Sequence, residues 1–175
     1  MPGWNDILNE LGQTPSQHDN VRRKYLKRLS KLTGRNVIAY YSSWLTKPNA
    51  DNTDINDSDV TGFMNSIKGM DCSKGLDLIL HTPGGFPTAA EAIVKYLRVK
   101  FNNDNSKNHS RHFDYQFCKE IGLNIIEMES DPKFQDAILS VHHAYMLTLA
   151  MTPTVKIIES QNGKAYIINQ SAQRN

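Results

Sequence analysis

The stretch from Leu76 to Phe101, LDLILHTPGGFPTAAEAIVKYLRVKF, limits what this chain can fold into more than any other. LDLILHT is a near-continuous apolar strand, as expected in a sheet covered on both faces. It ends in Thr82-Pro83-Gly84-Gly85, and a helix follows almost at once. Thr88 and Glu91 have the spacing of a capping box for that helix. Ala89, Ala92, Ile93, Tyr96 and Leu97 form its buried stripe. Strand, tight turn and helix make half of a βαβ unit, so the chain reads as α/β and a further parallel strand is expected. After Phe101 comes NNDNSKNHSRH instead, polar and without periodicity. Paired glycines where a strand meets a helix let a ligand approach backbone amides.

The rest of the chain supplies partners for this unit. WNDILNEL is a short helix. Ser16 caps a second helix to about Leu32, with Val21, Tyr25, Leu29 and Leu32 as its apolar stripe. Arg22, Arg23, Lys24, Lys27, Arg28 and Lys31 read as its solvated face. The apolar side has no Trp or Phe to anchor it in lipid. RNVIAYYS is a buried strand rich in β-branched and aromatic residues. A polar loop follows, in which Asp57, Asp59, Thr61 and Gly62 imitate the start of a calcium loop. The closing glutamate is missing, since Lys68 stands there, so Asp57 or Ser58 caps a helix through Lys68. Val60, Phe63, Met64 and Ile67 face inward from it. DYQFCKEIGLNIIEME gives a short helix, a glycine stop at Gly122 and a short strand. Asp131 caps and Pro132 opens a long helix, with Phe134, Ile138, Val141, Tyr145 and Leu149 along one stripe. TVKIIES and KAYIIN, joined through Gln161-Asn162-Gly163, form a terminal hairpin.

Composition narrows the function classes. The 175 residues suffice for one domain with a real core. A net charge of +2 demands no nucleic acid as partner. Cys72 and Cys118 are the only cysteines, which is neither a disulfide framework nor a zinc pattern, and fits a reducing cytoplasm. The N-terminus has no signal-peptide run, and LDLIL and AYMLTLAM are far too short to span a bilayer. The expectation is a cytoplasmic protein with no membrane partner.

Four segments carry a resemblance: TGRNVIAYYSSWL, GFMNSIKGMDCSKGLDLILHTPGG, AEAIVKYLRVKF and FQDAILSVHHAYMLTLAMTPTVKIIE. They resemble the serine dehydrogenase proteinase family, intracellular serine peptidases of the Clp-protease/crotonase fold related to signal peptide peptidase A. The combination of HTPGG after an apolar strand with LSVHHAYM is the specific part. The resemblance implies that the Gly85 amide donates to the oxyanion of a tetrahedral intermediate. It implies that Gly84, Phe86 and Pro87 border the groove for an extended substrate. Such a donor must lie about 2.7–3.1 Å from the developing oxyanion, and a side chain there would crowd the acyl group. His81 either borders the site or is a hydrogen-bonded histidine at a strand end. Where the family often has an acidic residue after the glycine pair, this chain has Phe86, then Pro87, which has no amide to offer.

The larger departure is the nucleophile. In the family, the helix matching Thr88–Phe101 leads to another strand and a motif of the type Ala-Met-Ser-Ala-Gly-Thr, whose serine attacks the substrate. Nothing between Phe101 and His109 matches it. The chain reads as having an internal deletion of roughly a hundred residues, a domain-scale loss. Ser110, Ser140 and Ser171 lack the strand–helix context of a nucleophile. A zinc site from His109, His112, His142 and His143 conflicts with the roughly 100° between adjacent helical residues. One histidine of the His142-His143 pair is expected to pack within the fold and the other to sit at an interface.

The expected fold is therefore α/β, with Clp-protease/crotonase-like βαβ layers left incomplete by the deletion. Residues 1–101 carry the N-terminal helices and the oxyanion turn, 102–112 are a polar junction, and 113–175 are helical with the terminal hairpin, all in one domain. The implied function is peptide bond hydrolysis through an acyl-enzyme, with no cofactor, by a chain that lacks the serine. A non-catalytic oligomerisation or binding subunit is the alternative. It would associate with itself or with full-length family members through the helix Asp131–Thr152 and hairpin, using Tyr145, Met146 and Met151. A crotonase-type acyl-CoA enzyme is a third reading, for which no CoA-binding pattern is recognisable.

Overall fold

The computed structural model describes residues 2–12, 15–101, 128 and 131–170. The polar junction, the helix and strand expected in DYQFCKEIGLNIIEME, and Cys118, His109, His112, Ser110 and Ser171 lie outside the described residues. The helices are α1 (Trp4–Glu10), α2 (Pro15–Thr33), α3 (Ser58–Ile67), α4 (Pro87–Lys100) and α5 (Pro132–Met151). The strands are β1 (Asn36–Ser42), β2 (Leu76–His81), β3 (Thr154–Ser160) and β4 (Ala165–Asn169), in the order β2-β1-β3-β4. Among the described strands only β1 and β2 are parallel; β3 runs antiparallel to both β1 and β4. The chain is thus a mixed α/β protein, with its sheet mixed rather than parallel throughout.

Strand alternation assigns the two cores. Val37, Ala39 and Tyr41 of β1 face α1, α2 and α5, whereas Ile38 and Tyr40 face α3 and α4. Every residue of β1 and β3 is buried, as central position demands. β2 departs from expectation. It lies at one end of the sheet, is half-buried along most of its length, and leaves Leu80 exposed. Its apolar run is therefore not covered on both faces by the described residues.

Helix details also shift. α2 begins at Pro15, which places Ser16 inside the first turn, and Leu32 is exposed. The supposedly solvated Arg22 is 1% exposed, because its Nε donates to Glu159 Oε2 at 2.9 Å and the side chain also bonds Asp19. α3 buries Phe63 and Ile67 as expected but exposes Met64, and it buries Asp59. Neither side-chain cap expected for α3 forms at Asp57, whose neighbour Asn56 instead accepts from the Ser58 amide at 3.1 Å. Asp131 does cap α5, accepting from the amides of Lys133 and Phe134. At the other end of α5, the Lys47 ammonium donates to the carbonyls of Leu149, Thr152 and Thr154, a fixed cation at a helix C-terminus.

Candidate functional site

β2 ends at His81, level with Tyr41 at the end of β1, so the glycine turn leaves from the carboxyl end of a parallel pair. Thr82 folds the turn back on itself. Its Oγ1 lies 3.2 Å from both the Gly84 amide and the Gly84 carbonyl. Gly84 has φ +101°, in the left-handed region where a Cβ is costly. α4 then starts at Pro87, whose missing N–H is harmless at the first helical position, with Phe86 before it. Thr88 therefore lies past the cap, and the expected Thr88–Glu91 capping box is not formed, since the cap residue is Phe86. Within the helix Ala90 is buried and Ala92 exposed, a shift of the stripe from the expected one.

Gly85 forms a single parallel bridge with Ile55 in the preceding polar loop. The Ile55 amide donates to the Gly84 carbonyl at 2.7 Å, and the Phe86 amide donates to the Ile55 carbonyl at 2.9 Å. In such a bridge the neighbours of Gly85 bond to Ile55, so the N–H and C=O of Gly85 itself face the other way. The Gly85 N–H has no partner among the described residues, and the residue is exposed. The need for glycine here comes from the near side of the bridge. A Cβ on Gly85 would stand 2.2 Å from the Ile55 carbonyl oxygen and 2.3 Å from its nitrogen. Phe86 is 60% exposed beside this open edge, and Pro87 follows at the start of α4.

His81 lies on the face of β2 toward α5. Its Nδ1 is 3.2 Å from the Ser42 carbonyl, which only accepts, so Nδ1 carries the proton. The ring stacks on Tyr41 at 5.3 Å and approaches Trp44 and His142. Burial holds His81 below the usual histidine value, offset in part by the Ser42 carbonyl. His142 and His143 diverge as their helical spacing requires. His142 meets Tyr41 and His81, while His143 meets Trp4 edge-on at 5.5 Å. Burial lowers both, and for His142 the neighbouring His81 and His143 add to it. Among the described residues, Ser42 Oγ, Ser43 Oγ, Trp44 Nε1 and His143 Nδ1 are buried without a hydrogen-bond partner, and three of the four sit at the end of β1.

Serine positions are equally specific. Ser42 and Ser43 are fully buried, out of reach of a substrate, and Ser140 donates from Oγ to the Asp136 carbonyl inside α5. No three His, Cys, Asp or Glu side chains converge to hold a metal among the described residues. The His109–His112 half of the considered zinc site lies outside those residues.

Sequence reading missed the groups behind the turn. Lys156 and Glu159 are both fully buried in β3. Lys156 Nζ pairs with Asp59 Oδ1 at 2.9 Å on the α3 side, and Glu159 pairs with Arg22 and Arg23 on the α2 side. The available signal was a lysine and a glutamate inside the otherwise apolar TVKIIES run. Comparison of the chain with protein-family models, with curated proteins and with solved structures finds no match.

Proposed function

We propose that this chain is a peptide-binding protein of the serine dehydrogenase proteinase type. On this reading its Clp-protease/crotonase-like turn presents Gly85 as an oxyanion amide, and the chain does not supply the serine nucleophile. The observation that carries this reading is the Gly85 N–H. The residue is exposed and its N–H has no partner among the described residues, on the edge of the turn opposite its bridge to Ile55. A peptide laid along Gly84, Gly85 and Phe86 in extended form finds there both a donor and the Gly85 carbonyl as acceptor. The start of α4 immediately after adds the positive end of a helix dipole, which favours developing negative charge. In a complete peptidase of this kind the same amide serves hydrolysis through an acyl-enzyme, where one such donor is worth about 10²–10³ in rate. Phe86, exposed at the turn, would contact the side chains of the bound peptide, and His81, at the end of the strand before the turn, is a candidate for bordering it.

Two measurements test this. A fluorophosphonate probe is expected to leave the 175-residue chain unlabelled; stoichiometric labelling of a serine contradicts the missing nucleophile. Calorimetry with a tryptic digest of denatured casein is expected to show saturable binding, and the absence of heat at millimolar peptide sinks the peptide-binding reading.

A second reading, an assembly subunit, is favoured by one observation. The outer edge of β2 pairs with no described strand and exposes Leu80, which suits strand addition by another copy or a longer relative. On the face of α5 also expected to do this, Tyr145 is fully buried and Met146 packs against the core, whereas Met151 is exposed. Sedimentation over a wide concentration range separates the readings: a strict monomer opposes assembly.

A further inference from the structure

We infer that Lys156, Asp59 and Tyr40 are positioning residues for the Gly85 turn, acting through the backbone of Asp54, Ile55 and Asn56. All three side chains are fully buried. Lys156 Nζ donates to Asp59 Oδ1 at 2.9 Å, to Asp59 Oδ2 at 3.1 Å and to the Asp54 carbonyl at 2.7 Å. Tyr40 donates from its hydroxyl to Asp59 Oδ2 at 2.9 Å, while its ring stacks on Phe63. Asp59 Oδ2 also accepts from the Asn56 amide at 3.0 Å.

The loop is thus held from two sides. The Asp54 carbonyl and the Asn56 amide point into the charged network, and the Ile55 amide and carbonyl point at Gly84 and Phe86. Backbone alternation makes these two sets opposite, as in any extended segment. A loop carrying one isolated bridge has little pairing of its own to fix its height against a neighbouring turn. The network supplies that fix, from β3 and β1 on the rigid sheet and from the first turn of α3. An apolar pair of similar volume would fill the same space without burying charge. It would, however, leave the Asp54 carbonyl without its ammonium donor and the Asn56 amide without its carboxylate acceptor. The distinguishing role of the pair is therefore geometric: it sets where Ile55 stands, and Ile55 sets where the Gly85 N–H points.

Hydrogen exchange on the isotope-labelled full chain tests this. The probes are the Ile55 and Phe86 amides, which form the bridge, and the Ser43 amide, which donates to Val155 between the central strands. In the paired variant Asp59→Leu/Lys156→Met, exchange at Ile55 and Phe86 is expected to accelerate at least tenfold relative to Ser43. Tyr40→Phe keeps the ring stack and removes only the hydroxyl bond to Asp59. It is expected to give a smaller selective change, at least threefold, and it decides the matter where the paired variant does not fold. An unchanged ratio overturns the inference, whether no amide moves or all accelerate together, because a merely structural pair weakens the whole sheet alike. The consequence for ligand binding rests on the peptide-binding reading above. The casein digest is expected to shift the Gly85 amide in the wild-type chain and to shift it less in Tyr40→Phe. A wild-type chain that ignores the digest overturns the peptide reading, and the exchange ratio then judges the positioning inference by itself.

Discussion

Gly85 is required by its backbone neighbour. Gly85→Ala would drive a methyl into the Ile55 carbonyl and nitrogen, neither of which can swing aside as a side chain would. The expected cost is about 1–3 kcal/mol by the usual range for overpacking, with loss of protection at the Ile55 amide. Urea denaturation and hydrogen exchange check both; full retention of the bridge contradicts the stated contact. From the sequence, glycine is expected here to avoid crowding a bound acyl group, and the contact with Ile55 is a separate requirement. Ile55 lies thirty residues before Gly85, in a loop with no periodicity, so no local pattern reveals that the two meet.

At the scale of elements, the helix α2 is tied to β3 by charge as well as by packing. Glu159, fully buried, receives Arg22 Nε at 2.9 Å, Arg23 Nε at 2.8 Å and the Tyr145 hydroxyl at 3.1 Å. Arg22→Ala strips a buried partner from a buried carboxylate and is expected to cost about 3 kcal/mol or more. Arg23 is about a third exposed, and Arg23→Ala is expected to cost about 1 kcal/mol or less. Equal costs in urea denaturation contradict this ranking. The helices themselves were legible because their apolar residues recur at 3.6-residue spacing, and α5 was legible to its cap because Asp131-Pro132 is a strong start signal. The burial of Arg22 was not, since its neighbours Arg23 and Lys24 make the run read as a solvated face. β2 shows the converse limit: an apolar strand reads as central whether or not strands lie on both sides of it.

For the whole molecule, the titrating groups define a window of stability. Burial lowers His18, His81, His142 and His143 below the usual value of 6.5. As pH falls below 6.5 the unfolded chain binds protons that the folded chain refuses, so stability is expected to decline in that direction. Burial raises Tyr25 to about 12, and it also raises Tyr40, Tyr41, Tyr96 and Tyr145. Above pH 10 the unfolded chain releases phenolic protons that the folded chain keeps, and stability is expected to fall again. Lys47, lowered by burial, acts in the opposite sense as one group against five. Thermal denaturation at pH 5.5, 8 and 10.5 is expected to peak at pH 8; a Tm still rising from 8 to 5.5 contradicts the buried imidazole cluster.

The central claim is that the Gly85 N–H is an open donor waiting for an extended peptide. Glycine-selective isotope labelling tests it most directly, because the chain holds ten glycines and each amide can be followed singly. In the free chain the Gly85 amide is expected to exchange with water freely, and on adding the casein digest it is expected to shift and become protected. A Gly85 amide already protected in the free chain, or one that stays fixed while peptide binds elsewhere, contradicts the account.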